Sequence, residues 1–491
     1  MPNDKETKKQ ILKSSSIIGG ASFLTILIGL IKVKVLALLL GPAGIGIMGI
    51  LTTIMSTGTA LFGMGLGTSG VRELAINNEN VNKLNSVRKA LFSANFVLGL
   101  SAFFTFYLFS EHLSIWFFES AENKGAIVII GFGVFLSLML GSQTAVLQGL
   151  RKITELAKVK VIGALFATLV GVLIVWYFGV AGLPFFVIAL PVLSFVVALF
   201  YSRQLPKLTS LSMSVKELKP QWKSLFTLGF AFMLTGLMAV GCQLLVRYIL
   251  NQKLNIDAVG YFQAAWAISM TYITFVLGAM AADYYPRLTQ QINNKTEANK
   301  LVNQQTEIAM ILAAPVLISM LAFATLVINL LYSSDFHESI EILRWQVFGD
   351  ILKVISWPLG FILLASGRSK LFFAGELLWN VSYVSLVYLG IDSVGLEITG
   401  YAFAASYIVY LLYVCGTSGI TTGFYWTKQN IKLIALLLLS GSSLLILSYF
   451  SLLTTMVLGT FLVIVSSVFA LKTIAKLGIK MKKLEKILCL F

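Results

Sequence analysis

Cysteine and histidine are scarce in this chain. Its 491 residues include three cysteines, Cys242, Cys415 and Cys489, which show no C-x-x-C spacing, and two histidines, His112 and His337. These are too few and too scattered for a disulfide framework or a zinc site, so we interpret the cysteines as small apolar side chains. The sequence therefore predicts neither a metal nor any other cofactor.

Charged residues are also few, and the acidic ones fewest. They make up 12% of the chain, with 21 Asp and Glu against 37 Lys and Arg, which gives a formal net charge of +16. This charge does not indicate a nucleic-acid partner, because the basic residues lie in short loops between apolar spans and not on one soluble face. D-x-D and P-loop signatures are absent as well. We therefore expect no enzyme, and a membrane polymerase or glycosyltransferase is the less favoured alternative.

Apolar sequence is what the chain has in abundance. Hydrophobic residues make up 57%, in runs longer than the 18 or so residues that a helix needs to cross about 30 Å of hydrocarbon. The apolar content begins near Ile11, so we expect no cleavable signal peptide. The sequence predicts an all-α polytopic membrane protein with about fourteen transmembrane helices, near 17–40, 45–70, 88–109, 125–149, 159–178, 181–202, 224–250, 258–283, 303–331, 341–366, 371–390, 396–417, 431–451 and 453–474.

Basic residues are distributed unevenly between the predicted loops. With the amino terminus in the cytoplasm, 30 of the 37 basic residues fall on the inner side and only Lys124 and Lys253 on the outer side. Because such a bias orients membrane proteins, we expect both termini to be cytoplasmic. The basic ends TKKQILKSSS and KLGIKMKKLEKILCLF look amphipathic, and we expect them to lie on the anionic membrane lipids of the inner leaflet.

The second half of the chain repeats features of the first at an offset of roughly 215 residues. Gly46 precedes Arg72 by 26 positions (72 − 46), and Gly260 precedes Arg287 by 27 (287 − 260). GLRK and VAGLP are echoed in the same order by GRSK and SVGLE. Since predicted helices 1 and 7 both run outward, the halves are parallel repeats. The predicted division is an N-lobe of helices 1–6 at 1–202, a cytoplasmic linker at 203–222, a C-lobe of helices 7–12 at 223–427, and helices 13–14 with a basic tail at 428–491.

Two basic residues lie inside apolar spans at matching places of the two repeats. Lys34 stands twelve positions before Gly46 (46 − 34), and Arg247 thirteen before Gly260 (260 − 247). A cation at the centre of a membrane helix costs about 2.5–3.5 kcal/mol, so it is rarely kept without a use. We predict that both line a central cleft; the alternative is that each reaches the outer headgroups. Lys32, about 200° around the helix from Lys34, is expected to face elsewhere.

Predicted helix 10 has the richest polar pattern, LRWQVFGDILKVISW. Gln346, Asp350 and Lys353 follow i, i+4, i+7 spacing and share one face, which needs a wet or protein-lined surface. We predict Gln346 and Lys353 as cavity residues and Asp350 as a coupling group for a proton or sodium ion. The alternative is a structural ion pair. Arg344, near the outer end of this helix, is a ligand candidate or an interface anchor.

The remaining candidates are one basic and several acidic or amide residues. Arg72 in GVREL is a further cavity candidate. Asp283 and Glu376 lie in predicted helices 8 and 11, where a carboxylate can carry a proton for a coupled carrier or neutralise a basic neighbour. Four glutamines offer hydrogen bonds either to sugars or between helices: Gln143, Gln148, Gln243 and Gln263.

Several segments of the chain resemble a known family. GPAGIG after the first helix, DAVGYFQ at 257–263, RWQVFGDILKV at 344–354 and YIVYLLYVCG at 407–416 look like Wzx-type O-antigen or enterobacterial-common-antigen flippases. These flippases belong to the multidrug/oligosaccharidyl-lipid/polysaccharide (MOP) exporter superfamily, together with MATE transporters and the lipid II flippase. The resemblance covers roughly residues 10–425. Helices 13 and 14 depart from the twelve-helix pattern of many members and form either a lipid-tail groove or a lineage-specific addition.

The resemblance implies a function in polysaccharide and lipopolysaccharide biosynthesis. A Wzx-type protein of the bacterial inner membrane moves an undecaprenyl-diphosphate-linked oligosaccharide from the inner to the outer leaflet by alternating access. Its partners are that lipid-linked glycan, a polysaccharide polymerase and a chain-length regulator. Lys34, Arg247 and Lys353 are then the candidates for the diphosphate. The alternative within transport is a MATE-like cation-coupled drug exporter, which should place carboxylates and aromatic rings in its cleft.

Overall fold

The computed structural model describes residues 4–77, 80–202 and 215–476, with side chains from Gly20 onward except at 215–217, 231, 275–276, 278–283, 286 and 474–476. Apart from turns and short 3-10 segments, the elements in this part of the chain are α-helices, which confirms the all-α prediction. In chain order they are α1 (Asp4–Gly63), α2 (Leu66–Ile76), α3 (Val81–Leu108), α4 (Ser110–Phe118), α5 (Lys124–Gly149), α6 (Ile153–Phe178), α7 (Leu183–Ser202), α8 (Val215–Lys253), α9 (Ile256–Gln291), α10 (Lys295–Ala322), α11 (Ala324–Leu331), α12 (Ser339–Ala365), α13 (Ser369–Val394), α14 (Ile398–Thr422), α15 (Lys428–Ser448) and α16 (Leu452–Lys476).

Ten stretches of the described residues are helical, long and apolar enough to cross a membrane. Three of them are far longer than one crossing needs: Gly20–Gly63 has 44 residues, Ile153–Ser202 has 50 and Ser369–Thr422 has 54. Each of these three contains two helical segments that meet at a break. The chain is therefore a multi-pass membrane protein, while the count of fourteen crossings stays a prediction.

The break inside α1 lies at Gly41 in the sequence LLLGPAG. Its φ is 62° and its ψ −166°, a conformation open to glycine because it has no Cβ. Pro42 follows and lacks the N–H that would continue the hydrogen-bond ladder of the preceding segment. The predicted helices at 17–40 and 45–70 therefore meet at this kink.

The order of elements repeats along the chain. α3 and α10 each have 28 residues and begin after an asparagine, Asn80 or Asn294, whose side chain accepts a hydrogen bond from the backbone three residues on. Each is followed by a short helix, two long helices of 26 or 27 residues, a 3-10 turn and a last long helix. Gly179 and Gly395 end α6 and α13 with positive φ and stand 216 positions apart (395 − 179). This succession agrees with the predicted offset of roughly 215.

The chain forms two compact units, one from 1–263 with 331–335 and the other from 264–330 with 336–491. In the first unit, α8 packs against α1, α2 and α3. Trp222, near the start of α8, donates from Nε1 to the carbonyl of Ala90 at 3.1 Å. The predicted lobes at 1–202 and 223–427 describe the sequence repeat, and their boundaries stay a prediction; residues 203–214 of the predicted linker lie outside the described residues.

Two glycines of the first unit allow α1 and α9 to cross with their backbones in contact. A Cβ on Gly46 would lie 2.2 Å from the carbonyl oxygen of Ile256, and a Cβ on Gly260 would lie 2.0 Å from that of Pro42. Each contact joins one glycine to the residue four positions before the other glycine. The crossing is therefore reciprocal, as expected where two repeat-equivalent segments meet about a twofold axis.

In the second unit, α12 packs against α10, α14 and α15, and its 27 residues are largely buried. The last two helices are attached to α10 through Asn303, whose side-chain oxygen accepts from the backbone N–H of Thr427 and from Asn430 Nδ2, both at 2.9 Å. Farther along, a Cβ on Gly459 would lie 2.1 Å from Ala322 Cβ, so α16 approaches α10 closely. The predicted helices 13 and 14 are therefore packed parts of this unit.

Candidate functional site

A cavity of about 660 Å³, lined mainly by apolar side chains with several polar groups among them, lies within the first unit. Residues of α1, α5, α6 and α7 surround it, and Gln263 of α9 completes its wall. Its volume is in the range of roughly 300–1,000 Å³ that is typical of ligand sites. On the first segment of α1, Thr25, Gly29 and Lys32 reach the cavity at i, i+4 and i+7, so one face of the helix forms this part of the wall.

Two lysines give the cavity its charge. Lys32 on α1 has its ammonium 5.6 Å from the centre of the Phe186 ring, close enough for a cation–π contact. Lys160 on α6 lines the cavity and is exposed. Neither lysine forms an ion pair with a described residue, and none of the described residues in the wall is acidic. The cavity can therefore bind an anion.

Neutral hydrogen-bonding groups accompany the lysines. Gln148 on α5 and Gln263 on α9 contribute amides to the wall. Hydroxyl groups come from several helices: Thr25, Thr52, Ser137, Thr144, Thr168 and Ser194. The hydroxyl groups of Thr25, Ser137 and Thr144 donate to backbone carbonyls of their own helices, so they can accept hydrogen bonds from sugar hydroxyls.

Arg247 on α8 is 4% exposed and bound on two sides. Its Nη1 donates to the side-chain oxygen of Gln243 at 2.9 Å and to the carbonyl of the same residue at 3.0 Å. Its Nε donates to Oε1 of Gln263 at 3.1 Å, and its Nη2 donates to the same oxygen. The Phe262 ring lies 5.3 Å from the guanidinium. Arg247 is not part of the described cavity wall, but it holds Gln263, which is.

Lys34 is half-buried on α1, and its ammonium donates to the carbonyl of Tyr332. Burial raises the pKa of the Tyr332 hydroxyl, so the phenol stays neutral. Lys34 is not among the described residues that line the cavity. Of the predicted pair, Arg247 contacts the cavity residue Gln263 and Lys34 binds the Tyr332 carbonyl, and their role toward substrate stays a proposal.

The polar face of α12 lies in the second unit. Asp350 is fully buried, and its Oδ2 accepts hydrogen bonds from Ser269 Oγ and Tyr272 Oη, both at 2.6 Å. Its other carboxylate oxygen has no partner among the described residues. Gln346, also fully buried, has no partner there for either polar atom of its side chain. Buried polar atoms normally have hydrogen-bond partners. The unpaired atoms of Asp350 and Gln346 can therefore bind a further hydrogen-bonding group.

Lys353 and Glu376 extend this polar face toward α13 and α14. The Lys353 ammonium lies 3.7 Å from the sulfur of Met270 and 5.7 Å from the centre of the Tyr407 ring. Glu376 accepts a hydrogen bond from Tyr410 Oη at 3.2 Å. Asp350 and Lys353 form no direct ion pair; the hydroxyl groups of Ser269 and Tyr272 bind one oxygen of the carboxylate.

The other predicted residues lie apart from these two sites. Arg344 is 8% exposed, and its Nη1 lies 3.4 Å from Glu341 on the same helix. Arg72 is exposed on α2 beside Glu73, at 3.3 Å. Asp283 belongs to α9, but its side chain is outside the described residues.

Two cavity residues were missed by the sequence analysis. Lys32 was expected to face elsewhere, because it lies about 200° around the helix from Lys34, which was the predicted cavity residue. Lys160 lies next to the start of the helix predicted at 159–178 and was not a candidate, whereas α6 begins at Ile153 and carries Lys160 on its third turn. The spacing of Thr25, Gly29 and Lys32 is the signal that predicts the cavity-facing side of α1.

A family model and curated relatives each match more than half of this chain. A family model described as "Polysaccharide biosynthesis protein" matches residues 35–341. The "Lipid III flippase" of Escherichia coli (strain K12) is 23% identical over 417 residues, which cover 83% of this chain and 97% of the relative. The "Putative O-antigen transporter" of Shigella flexneri is 24% identical over 369 residues, which cover 73% of this chain and 85% of the relative.

Solved structures share the fold. The lipid II flippase MurJ in an inward closed conformation superimposes with a TM-score of 0.69 and 16% identity, over 93% of this chain and 98% of its own. An inward-facing MATE family transporter of the MOP superfamily superimposes with a TM-score of 0.68 and 15% identity, over 81% of this chain and 96% of its own. At these identities the likeness shows the fold alone.

Proposed function

Because the chain belongs to the polysaccharide biosynthesis protein family, we propose that it is a flippase for lipid-linked oligosaccharides and not an enzyme. Relatives named for lipid III flipping and O-antigen transport support this function. The proposed cargo is an undecaprenyl-diphosphate-linked oligosaccharide of the O-antigen type. It moves from the inner to the outer leaflet of the bacterial cytoplasmic membrane by alternating access.

One observation carries the proposal: the cavity of the first unit combines two lysines with neutral hydrogen-bonding groups, and its described wall has no carboxylate. A diphosphate needs cations in a site shielded from bulk water, and the attached sugars need amides and hydroxyl groups. An exporter of organic cations instead needs acidic residues in its cavity. This cavity therefore favours the flippase over the MATE-like alternative, although MATE transporters share the fold.

In this proposal Lys32 and Lys160 bind the diphosphate, and the polyprenyl tail stays in lipid. The cavity roles of the residues singled out by sequence alone remain predictions: Lys34, Lys353, Gln346, Arg72 and Arg344. We propose that both termini are cytoplasmic, although the basic tail beyond 476 lies outside the described residues. A polysaccharide polymerase and a chain-length regulator would then act on the exported product.

The membrane potential is expected to drive export. Moving two negative charges outward across an inside-negative potential releases about 4.6 kcal/mol per 100 mV, which is about a thousandfold in equilibrium. In proteoliposomes, undecaprenyl-diphosphate N-acetylglucosamine should therefore accumulate in the leaflet on the positive side, detected by a lectin added outside. Protein-free liposomes are the control. Indifference to the sign of the potential would contradict electrogenic export, and transport of ethidium without flipping would favour the exporter.

Asp350 is the proposed coupling group for a proton. Its buried carboxylate has one oxygen bound by Ser269 and Tyr272 and one without a described partner, where a proton can be taken up and released. Asp350→Asn keeps the size and the acceptor oxygen but cannot exchange a proton. We expect this variant to keep voltage-driven flipping and to lose acceleration by an imposed pH gradient. If wild-type protein shows no response to the pH gradient, or if Asp350→Asn keeps that response, Asp350 does not couple protons.

A further inference from the structure

Gln263 connects Arg247, a buried arginine of the first unit, with the cavity. It is the residue of α9 that reaches the cavity wall, and it ends the DAVGYFQ segment. It is half-buried, with the Arg247 guanidinium on one side and the cavity on the other. Through a side chain in this position, a buried cation can influence the binding of a ligand that it does not contact.

The chemistry of arginine fixes the orientation of this amide. A guanidinium has five N–H donors and no acceptor, so the Gln263 atom that faces Arg247 must be the oxygen. Two guanidinium nitrogens, Nε at 3.1 Å and Nη2, donate to that one oxygen. Rotating the amide by 180° would place its NH₂ group against two N–H donors in a buried site, which is unfavourable. Gln263 therefore keeps its amide nitrogen, a donor, away from Arg247.

The packing around Gln263 restricts other positions of the side chain. A Cβ on Gly49 would lie 3.0 Å from Oε1 of Gln263 and 3.2 Å from its Cγ, so α1 runs directly against the amide. The crossing of Gly46 and Gly260 lies on the same two helices, one turn away along each. Held by the helix and by Arg247, Gln263 makes no hydrogen bond from its amide nitrogen to any described residue. The donor is preorganised for a ligand.

We propose that Gln263 donates a hydrogen bond from its amide nitrogen to a diphosphate oxygen of the cargo, and that Arg247 is the positioning residue that keeps this amide in the donating orientation. The inference rests on the proposed function, since it assigns a contact within the same cavity. Lys32 and Lys160 supply charge from α1 and α6, and Gln263 supplies a third donor from α9. Arg247 thus acts on an anionic ligand through Gln263 and not by direct contact.

Glutamate in place of Gln263 removes the hydrogen-bond donor while nearly preserving the packing of the side chain. In Gln263→Glu the carboxylate has nearly the same shape and still accepts from Arg247, but it cannot donate to the ligand. The matched control is Gln243→Glu, which places the same charge against the other side of Arg247, on a residue outside the described cavity wall. Binding of undecaprenyl diphosphate to the purified full-length protein is measured, with undecaprenol as the uncharged probe.

We expect Gln263→Glu to bind undecaprenyl diphosphate at least tenfold more weakly than wild type, which is about 1.4 kcal/mol, and Gln243→Glu to stay within about threefold. Undecaprenol should bind all three proteins alike. Equal affinities of Gln263→Glu and wild type would overturn the inference, and so would equal losses in both glutamate variants, because added charge would then explain them. If wild type does not distinguish undecaprenyl diphosphate from undecaprenol, the proposed function itself fails.

The positioning role of Arg247 has its own readout. Arg247→Met keeps a long side chain but removes the donors that fix the amide, so it should weaken diphosphate binding when Gln263 is present. In a Gln263→Met background, which has neither an amide donor nor a charge at this position, the same change should cost little more, because no donor remains to be positioned. If the losses of diphosphate affinity from the Arg247 and Gln263 variants simply add in the double variant, Arg247 only stabilises the fold, and this part of the inference is overturned.

Discussion

Replacing both cavity lysines, Lys32→Gln and Lys160→Gln together, is expected to weaken binding of undecaprenyl diphosphate by at least about a hundredfold. Hydrogen bonds to charged groups contribute about 1.5–3 kcal/mol each, and 1.4 kcal/mol is a factor of ten. Glutamine keeps much of the length and the hydrogen-bonding capacity of lysine, so the change removes mainly the charge. In cells the double variant should lose surface polysaccharide while the protein remains inserted in the membrane.

Lys158 provides the matched control for these lysines. It lies on α6 two positions before Lys160, but its ammonium faces the Tyr201 ring at 5.4 Å, and it is not among the described cavity residues. Lys158→Gln removes the same charge from the same helix and should leave binding within about twofold. If the Lys158 variant loses as much affinity as the double variant, general surface charge attracts the lipid and the cavity does not.

The second large effect is expected at the helix crossing. In Gly260→Ala the new methyl group would lie 2.0 Å from the carbonyl oxygen of Pro42, and in Gly46→Ala it would lie 2.2 Å from that of Ile256. Backbone atoms cannot yield as a side chain does, so α1 and α9 must move apart. We expect each variant to lower the free energy of unfolding by about 3 kcal/mol, at the upper end of overpacking effects. Thermal denaturation in detergent measures this loss.

A glycine with free space around it is expected to respond differently: alanine there should not lower the free energy of unfolding. Gly241 lies on α8 with no heavy atom within 4 Å of where a Cβ would be, other than neighbouring atoms of its own helix. Gly241→Ala should be neutral or stabilising by up to about 1 kcal/mol, because alanine favours the helix more than glycine. A similar loss in Gly241→Ala and Gly260→Ala would mean that the substitution itself, and not the crossing, causes the effect.

Much of the fold was accessible from the sequence, because membrane helices depend on long apolar runs and their breaks on glycine and proline. The equivalence of Gly46 and Gly260 was predicted from spacing alone, and the two glycines meet in a reciprocal crossing. The polar stripe of Gln346, Asp350 and Lys353 on one face of α12 was also predicted from its i, i+4, i+7 spacing. These patterns are local, so they can be read without knowing which helices are neighbours.

The cavity was less accessible, because it depends on which side of each helix faces the interior of the unit. Lys32 and Lys34 are both basic and two positions apart, and only the packing of α1 against α5, α6 and α7 distinguishes them. The contact of Arg247 with Gln263 joins residues of two helices, and no spacing rule predicts it. Sequence reasoning therefore found cationic residues near the site but not the pair that lines it.

The central claim is that the cavity of the first unit binds the diphosphate of a lipid-linked glycan. Electron microscopy of the full-length protein with undecaprenyl diphosphate in nanodiscs measures this most directly. We expect phosphate density inside the cavity, within about 3 Å of the ammonium groups of Lys32 and Lys160 and of the Gln263 amide nitrogen. Phosphate density elsewhere on the protein, with this cavity holding only water or lipid tails, would contradict it.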